Sequence, residues 1–397
     1  MERLLENIRV LDITQAYSGP FCCMHLADHG AEVIKVEALQ GEQSRTWAPL
    51  KNGGSGYFAY INRNKKGIAL DLKSEEGKEV LRRLIKESDV VVENFRVGTF
   101  ARLGFSYDIL KEINPKIIYG SISGFGLEGP MADRACYDIA AQAESGMMSM
   151  CGEADQDPIK VGPSIADSYS GTYLALGIMI ALYKREITGK GFQIDVAMVD
   201  TMFSALENHV MTYTMMGRTP HRTGNSDLTS PPWDSFHAKD GMFVIACGTE
   251  KFWQSCCDVL GREDLKTDPR YKTMSVRGEH YLGDLKDIIE EWASDKTVDE
   301  LEKAFVDAKI PFGRIRNIAE AAEMPQIQIR NMVWNVYDPS IGEDIRMPGS
   351  PIKIHGEDDS VFCAAPVLGQ DNDAILKDIA GYSPEEIKDM RNKKAIL

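Results

Sequence analysis

At 397 residues, 43% hydrophobic and 26% charged, the chain has the composition of an ordinary globular protein with room for two or three domains and a full core. Sixty acidic against 45 basic residues give a formal charge of −15. This argues against general affinity for nucleic acid or anionic membranes, and an anionic small ligand would need a local basic pocket. The N-terminal M-E-R-L-L-E-N-I-R carries no cationic segment ahead of an apolar signal core, and no apolar run reaches membrane-span length. Eight cysteines without C-x-x-C or a disulfide-framework spacing predict reduced thiols in a cytoplasmic protein.

Residues 8–37 read as a βαβ unit: the strand I-R-V-L-D-I-T, the turn Q-A-Y-S-G-P, a helix through F-C-C-M-H-L-A-D-H, then the strand A-E-V-I-K-V-E. The first turn lacks G-x-G-x-x-G, so no dinucleotide pyrophosphate is expected there. Cys22, His25 and His29 share one helical face, but no fourth ligand accompanies them and no metal is expected. The alternation continues with a strand over Gly67–Leu72, an amphipathic helix over Ser74–Ser88, a strand over Asp89–Glu93, a helix over Tyr107–Ile113 and a strand over Lys116–Ser123. It predicts an α/β fold, a Rossmann-like doubly wound parallel sheet in a large domain. Such sheets bind ligands beyond the carboxyl ends of their strands. The turn after Thr14, the residues after Glu93 and the loop after Ser123 are therefore expected to wall one site. That last loop, G-F-G-L-E-G at 124–129, imitates a dinucleotide fingerprint. It is followed by polar P-M-A-D-R rather than an apolar helix, so an active-site loop is expected instead.

The stretch around which the chain is organised is I-A-D-S-Y-S-G-T-Y-L-A-L-G-I-M-I-A-L-Y, 165–183. Its thirteen-residue apolar run from Gly171 to Tyr183 is too short for a bilayer and predicts a core helix, with Gly171, Ala175, Gly177 and Ala181 allowing close backbone approach. Asp167 stands at the N-terminal end. Taken alone it reads as an N-cap. The free N–H groups and dipole there are also expected to keep its carboxylate ionised and so able to act as a nucleophile. A strand over F-Q-I-D-V-A-M and one long helix over Val199–Met216 follow. The expected organisation is a large domain over 1–216, a polar linker at 217–233, a smaller α+β domain over 234–337, a second, irregular linker at 338–351, and a return to the large domain over 352–397.

Nine stretches in order carry a resemblance: V-L-D-I-T-x-x-x-S-G-P (10–20), G-A-E-V-I-K-V-E (30–37), N-K-K-G-I-A-L-D-L-K (64–73), E-N-F-R-V-G-T-F-A-R-L-G (93–104), S-I-S-G-F-G-x-x-G-P (121–130), Y-D-I-A-A-Q-A-x-S-G (137–146), I-A-D-S-Y-S-G (165–171), T-G-K-G (188–191) and L-G-Q-D-N-D-A-I-L (368–376). Each is weak alone. Together, over nearly the whole chain, they resemble the family III CoA-transferases, the group containing formyl-CoA transferase and the carnitine CoA-transferases. The resemblance implies that Asp167 is a catalytic nucleophile carrying acyl and then CoA, with coenzyme A as co-substrate and no permanently bound cofactor or metal. It implies that Lys73 and Arg102 lie along the CoA, that Asn94, Phe95 and Arg96 line the strand end, and that Leu70 contacts adenine. Tyr137 would sit beside the carboxylate, Tyr17 and Ser18 in the turn over the thioester, and Trp47 and Tyr57 around the acyl group. Gly124 and Gly126 would belong to a covering loop that donates to oxyanions. The partners implied are an acyl-CoA, a carboxylic acid and a second copy in an interlocked homodimer. Ala38 replaces an arginine that contacts CoA in formyl-CoA transferase, and Pro231–Gly248 lacks that enzyme's glycine-rich loop, which argues against the formyl-CoA:oxalate pair. Two rivals follow from the same residues. One is an α-methylacyl-CoA racemase, whose histidine is replaced here by C-Y-D at 136–138. The other is a nucleotide-dependent oxidoreductase resting on 124–129.

Overall fold

A computed structural model describes residues 3–357 and 363–397. The chain divides into two compact units: Met1–Met147, Val161–Glu207 and Pro325–Leu397 form the first, and Met148–Lys160 with Asn208–Met324 the second.

The first unit is built on six parallel strands: β1 (Arg9–Asp12), β2 (Glu32–Glu37), β3 (Lys65–Ala69), β4 (Val90–Glu93), β5 (Ile118–Ser123) and β6 (Phe192–Ala197). Their order in the sheet is β3-β2-β1-β4-β5-β6, so the winding reverses between β1 and β4. Strand periodicity sorts the core. Leu11, Ile34 and Val91 face one layer with α3 (Glu75–Lys86), α5 (Tyr107–Ile113) and the C-terminal Ile375, Leu376, Ile387 and Met390. Val10, Val33, Val90 and Val92 face the other, with α1 (Ser18–Asp28) and α7 (Ile165–Thr188). Three short helices complete the elements around the strand ends: α2 (Gly56–Asn62), α4 (Thr99–Arg102) and α6 (Asp138–Glu144).

Helix α7 is 24 residues long, well beyond its thirteen-residue apolar run, and by length and composition alone it could cross a membrane. One face, through Ala166, Gly171, Leu174, Ile178 and Ala181, is buried in the unit against α1, β5 and β6. Gly171 sets the crossing with α1: a Cβ there would lie 2.6 Å from the Ser18 carbonyl oxygen and 3.0 Å from Phe21.

Three sequence expectations are corrected. The helix expected over Val199–Met216 is two, α8 (Met198–Ser204) and Asn208–Met216, separated where Glu207 takes φ +50°. The crossing at 338–351 is largely ordered, because V-W-N-V-Y-D and E-D-I-R-M-P alternate and pair as an antiparallel hairpin, Val333–Asp338 with Glu343–Pro348. Gly217–Trp233 belongs within the second unit, where Gly224 N–H donates to the Gly152 carbonyl and Asp227 N–H to that of Trp233. That unit is a three-stranded antiparallel sheet (Phe312–Arg314, Gly241–Ala246, Trp233–Ala238) under helices, with Trp253, Tyr271, Tyr281, Phe243 and Phe305 in its core.

Candidate active site

In a doubly wound sheet the strand order reverses at one place, and the loops leaving the two strands there diverge to open a crevice. Here these loops leave β1 and β4. A cavity of about 290 Å³ lies at this point, lined from the β1–α1 turn by Gln15, Ala16 and Ser18, from the end of β4 by Asn94–Val97, and beyond β5 by Ser123 and Gly124. Cys136, Tyr137, Met198 and Asp167 close it. The three walls expected from sequence thus meet around Asp167. A second cavity of about 720 Å³ adjoins it through the shared residues Gln15, Gln43 and Phe95, and continues past Leu70, Asp71 and Lys73.

A buried ionic network holds the β1–α1 turn. Lys35, with no exposed side chain, lies 3.7 Å from Asp12 and 3.3 Å from Glu42 and donates to the Thr14 carbonyl at 2.6 Å. Lys65 bonds Asp12 at 2.8 Å. Glu42 in turn accepts the N–H of Ala16 at 2.9 Å, securing a residue at φ +65°. Asn94 grips Gln15 from the other side: its Oδ1 accepts the Gln15 N–H and its Nδ2 donates to the Gln15 carbonyl, both at 2.8 Å.

Asp167 occupies the first turn of α7, half-buried. Its carboxyl is pushed up to about 7, first by burial and then by the nearby charge of Asp138; a hydrogen bond from Ser18 opposes both. Burial and the Asp138 charge thus work against the ionised carboxylate expected at this helix N-terminus. Asp138, at the start of α6, is itself anchored: it accepts the Ala166 N–H at 2.8 Å and the Gln142 amide at 2.7 Å.

The other expected residues divide. Ser18, Asn94, Phe95, Arg96, Gly124 and Tyr137 line the first cavity with Asp167, and Tyr137 is 70% exposed. A string of rings runs alongside: Trp47 to Tyr57 at 5.4 Å and Tyr57 to Tyr17 at 5.7 Å between centroids, with the Tyr17 hydroxyl accepting from Ser168. The charge of Asp167 reaches both Tyr17 and Tyr57. Leu70 and Lys73 line the second cavity, Leu70 as part of the buried core. Arg102 lines neither and donates instead to Thr99 Oγ1 at 2.8 Å. Gly126 lies outside the first cavity's lining. Its N–H goes to Ser123 Oγ and that of Leu127 to Asp195, so those two donors of the glycine loop are engaged. Gly124 must stay small, since a Cβ would sit 2.2 Å from Cys136 Cβ. Beyond β5 the 124–129 segment opens no helix, which removes the dinucleotide fingerprint. Sequence reading missed Gln15, Gln43, Arg134 and Met198, which belong to no chemical motif. Asp138 entered the sequence reading only within Y-D-I-A-A-Q-A and the C-Y-D of 136–138, with no role given to it.

The family model described as CoA-transferase family III matches residues 5–372. The chain belongs to CoA-transferase family III. Among curated relatives it is 38% identical to the acetyl-CoA:oxalate CoA-transferase of Acetobacter aceti, over 94% of this chain and 95% of that one. It is also 38% identical to the succinyl-CoA:mesaconate CoA-transferase of Haloarcula hispanica, over 95% and 96%. Among solved structures, a CAIB/BAIF family protein from Brucella suis superposes with a TM-score of 0.83 at 35% identity, covering 96% of this chain and all of that one. As a family III CoA-transferase the chain uses a CoA thioester, and its two adjoining cavities can be read accordingly. Among the described residues no histidine lines the cavity around Asp167, where the racemase reading requires an imidazole.

Proposed function

We propose that this family III enzyme moves CoA from an acyl-CoA to a free carboxylic acid through covalent intermediates on Asp167. The observation that carries the reading is a half-buried carboxyl in the cavity at the sheet's switch point, which forms no ion pair among the described residues. The carboxylate attacks the thioester carbonyl and expels CoA thiolate, giving a mixed anhydride. The thiolate attacks the Asp167 carbonyl of that anhydride, releasing the first acid and leaving aspartyl-CoA. The incoming carboxylate displaces the thiolate to form a second anhydride, which the thiolate cleaves at the substrate carbonyl, restoring Asp167.

In this reading the nucleotide end of CoA occupies the second cavity beside Leu70 and Lys73, and the thioester reaches Asp167 past Gln15, Gln43 and Phe95. Ser18 and Gly19 open α1 with no side-chain cap, and their N–H groups suit a developing oxyanion better than the engaged Gly126 and Leu127. The acids named for both relatives, oxalate and mesaconate, are dicarboxylates. Arg96 and Arg134 together with the amides of Gln15 and Gln43 give this cavity the groups a short dicarboxylate needs. We further propose a homodimer, interlocked as the family resemblance implies, and a reducing, cytoplasmic setting, consistent with eight unpaired cysteines.

The test is to incubate the enzyme with acetyl-, succinyl- or formyl-CoA, trap with hydroxylamine or borohydride, and map the modified peptide. Label on Asp167, and loss of turnover in Asp167→Ala, are expected. Label elsewhere, or turnover retained by Asp167→Ala, rejects the mechanism. A screen of acceptor acids against the same three donors then reads the substrate, with dicarboxylates expected to lead.

A further inference from the structure

We propose that Glu93 is a positioning residue for the neck between the two cavities: its buried carboxylate, gripped by Tyr119, holds the Phe95 N–H and so sets a wall that the pantetheine arm of CoA must pass. The inference rests on the reading that runs CoA through both cavities.

Three residues line both cavities, Gln15, Gln43 and Phe95, and so form the neck. Two of them are held by consecutive residues at the end of β4. Asn94 brackets Gln15 through its pair of hydrogen bonds. Glu93 holds Phe95: its Oε2 accepts the Phe95 N–H at 2.8 Å, and its Oε1 accepts from the Tyr119 hydroxyl at 3.0 Å. Tyr119, on the neighbouring strand β5, reaches Phe95 by a second route. Its ring stacks on Phe100 of α4 at 6.2 Å between centroids, and Phe100 lies 6.3 Å from the Phe95 ring. Phe95 is thus fixed at its backbone through Glu93 and at its ring through Phe100, and both routes end on one tyrosine.

A carboxyl is a costly group to place there. Glu93 is 6% exposed and forms no ion pair among the described residues. Burial pushes its carboxyl up to about 7; the Phe95 N–H and the Tyr119 hydroxyl pull against burial, and the charge of Asp195 on β6 adds to it. Glu93 lines neither cavity, so it touches no reacting atom and acts through Phe95. A carboxylate bonding the N–H two residues on is in many turns no more than a local stitch. Here the stitched residue borders both cavities, and its displacement alters the passage between them.

Titration calorimetry on the full-length enzyme separates a neck from a fold. The two probes are CoA, whose arm threads the neck, and adenosine 3′,5′-bisphosphate, which carries the nucleotide end alone. Expected for Glu93→Leu is a dissociation constant for CoA raised about ten-fold, with that for the bisphosphate unchanged. The kcat/KM for succinyl-CoA should fall by the same factor, and kcat by much less. Glu93→Gln keeps an acceptor for the Phe95 N–H and turns an amide donor to the Tyr119 oxygen, so it should restore CoA binding. Tyr119→Phe frees one carboxylate oxygen and leaves the Phe95 N–H bonded; it should weaken CoA in the same direction by less, and it carries the test if Glu93→Leu does not fold. A role in folding alone would lower the binding stoichiometry and leave both constants as in the wild type. That result, or equal weakening of the two probes, overturns the proposal. Lys73→Met tests the placement of CoA itself and should weaken both probes. If both bind Lys73→Met as they bind the wild type, the placement falls, whatever Glu93 does.

Discussion

Asp167 is half-buried, and burial followed by the charge of Asp138 raises its carboxyl to about 7, so near neutral pH it is divided between its two forms. Only the carboxylate attacks. The sign follows: kcat should rise as pH passes upward through about 7 and fall away below it, and a profile flat between pH 5 and 8 would contradict the assignment. Asp12 behaves in the opposite sense. Burial alone would raise it, but Lys35 and Lys65 outweigh burial and hold it at about 2. A depressed carboxyl contributes stability above its unfolded value of 3.8, and that stability is lost as pH falls from there toward 2. Acid unfolding followed by circular dichroism should show this loss in the wild type. Lys35→Met removes the cation shared by Asp12, Glu42 and the Thr14 carbonyl and leaves two carboxylates with less compensation. Breaking such a buried set costs about 3–5 kcal/mol, read as a lowered denaturant midpoint. The Ala16 N–H contact depends on Glu42, so turnover should fall in whatever fraction remains folded.

Helices α1 and α7 present Ser18 and Asp167 to one another because Gly171 lets their first turns approach. In Gly171→Ala the new Cβ would meet the Ser18 carbonyl oxygen at 2.6 Å, a backbone atom that yields only if the helices separate. The expected cost is about 1–3 kcal/mol in the chemical midpoint, with a loss of turnover exceeding the loss of folded enzyme. Equal losses would mean that the crossing serves stability alone. This crossing also marks where sequence reading stopped. The strands were legible because V-L-D-I, V-V-V-E and I-I-Y-G are short apolar runs bounded by turn residues. Helix α3 was legible because Val80, Leu81, Leu84 and Ile85 recur on one face. The break before Asn208 was not, since no glycine or proline marks it, and the hairpin after Val333 was hidden by the Pro339 and Gly342 of its own turn. At the site, Asp167 alone was indistinguishable from a cap, and only the resemblance lifted it out. Its meeting with Ser18, 149 positions earlier, in one cavity is a product of tertiary packing that no local pattern encodes. The strand-end rule did place the three walls, because it depends on topology, and topology was readable.

For the whole molecule the relevant surface is the face of α7 turned away from the sheet. Tyr169, Tyr173, Leu176, Ile180, Tyr183 and Ile187 are exposed in the single chain, at successive spacings of four, three, four, three and four. That spacing keeps side chains on one seam of a helix, the pattern by which two helices interdigitate. At 1.5 Å per residue the seam runs about 27 Å, too long and too apolar for water to be its resting partner. With a charge of −15 on each copy, long-range electrostatics oppose self-association, so the apolar seam must supply the attraction in the proposed homodimer. The double variant Leu176→Arg with Ile180→Arg places two cations mid-seam without touching the buried face formed by Leu174, Ile178 and Ala181. Sedimentation velocity at micromolar concentration should show a dimer for the wild type and a single chain for the variant, with far-ultraviolet circular dichroism unchanged. A variant that still sediments as a dimer would move the interface off this helix, and a wild-type chain that sediments singly would end the dimer proposal while leaving the chemistry at Asp167 untouched.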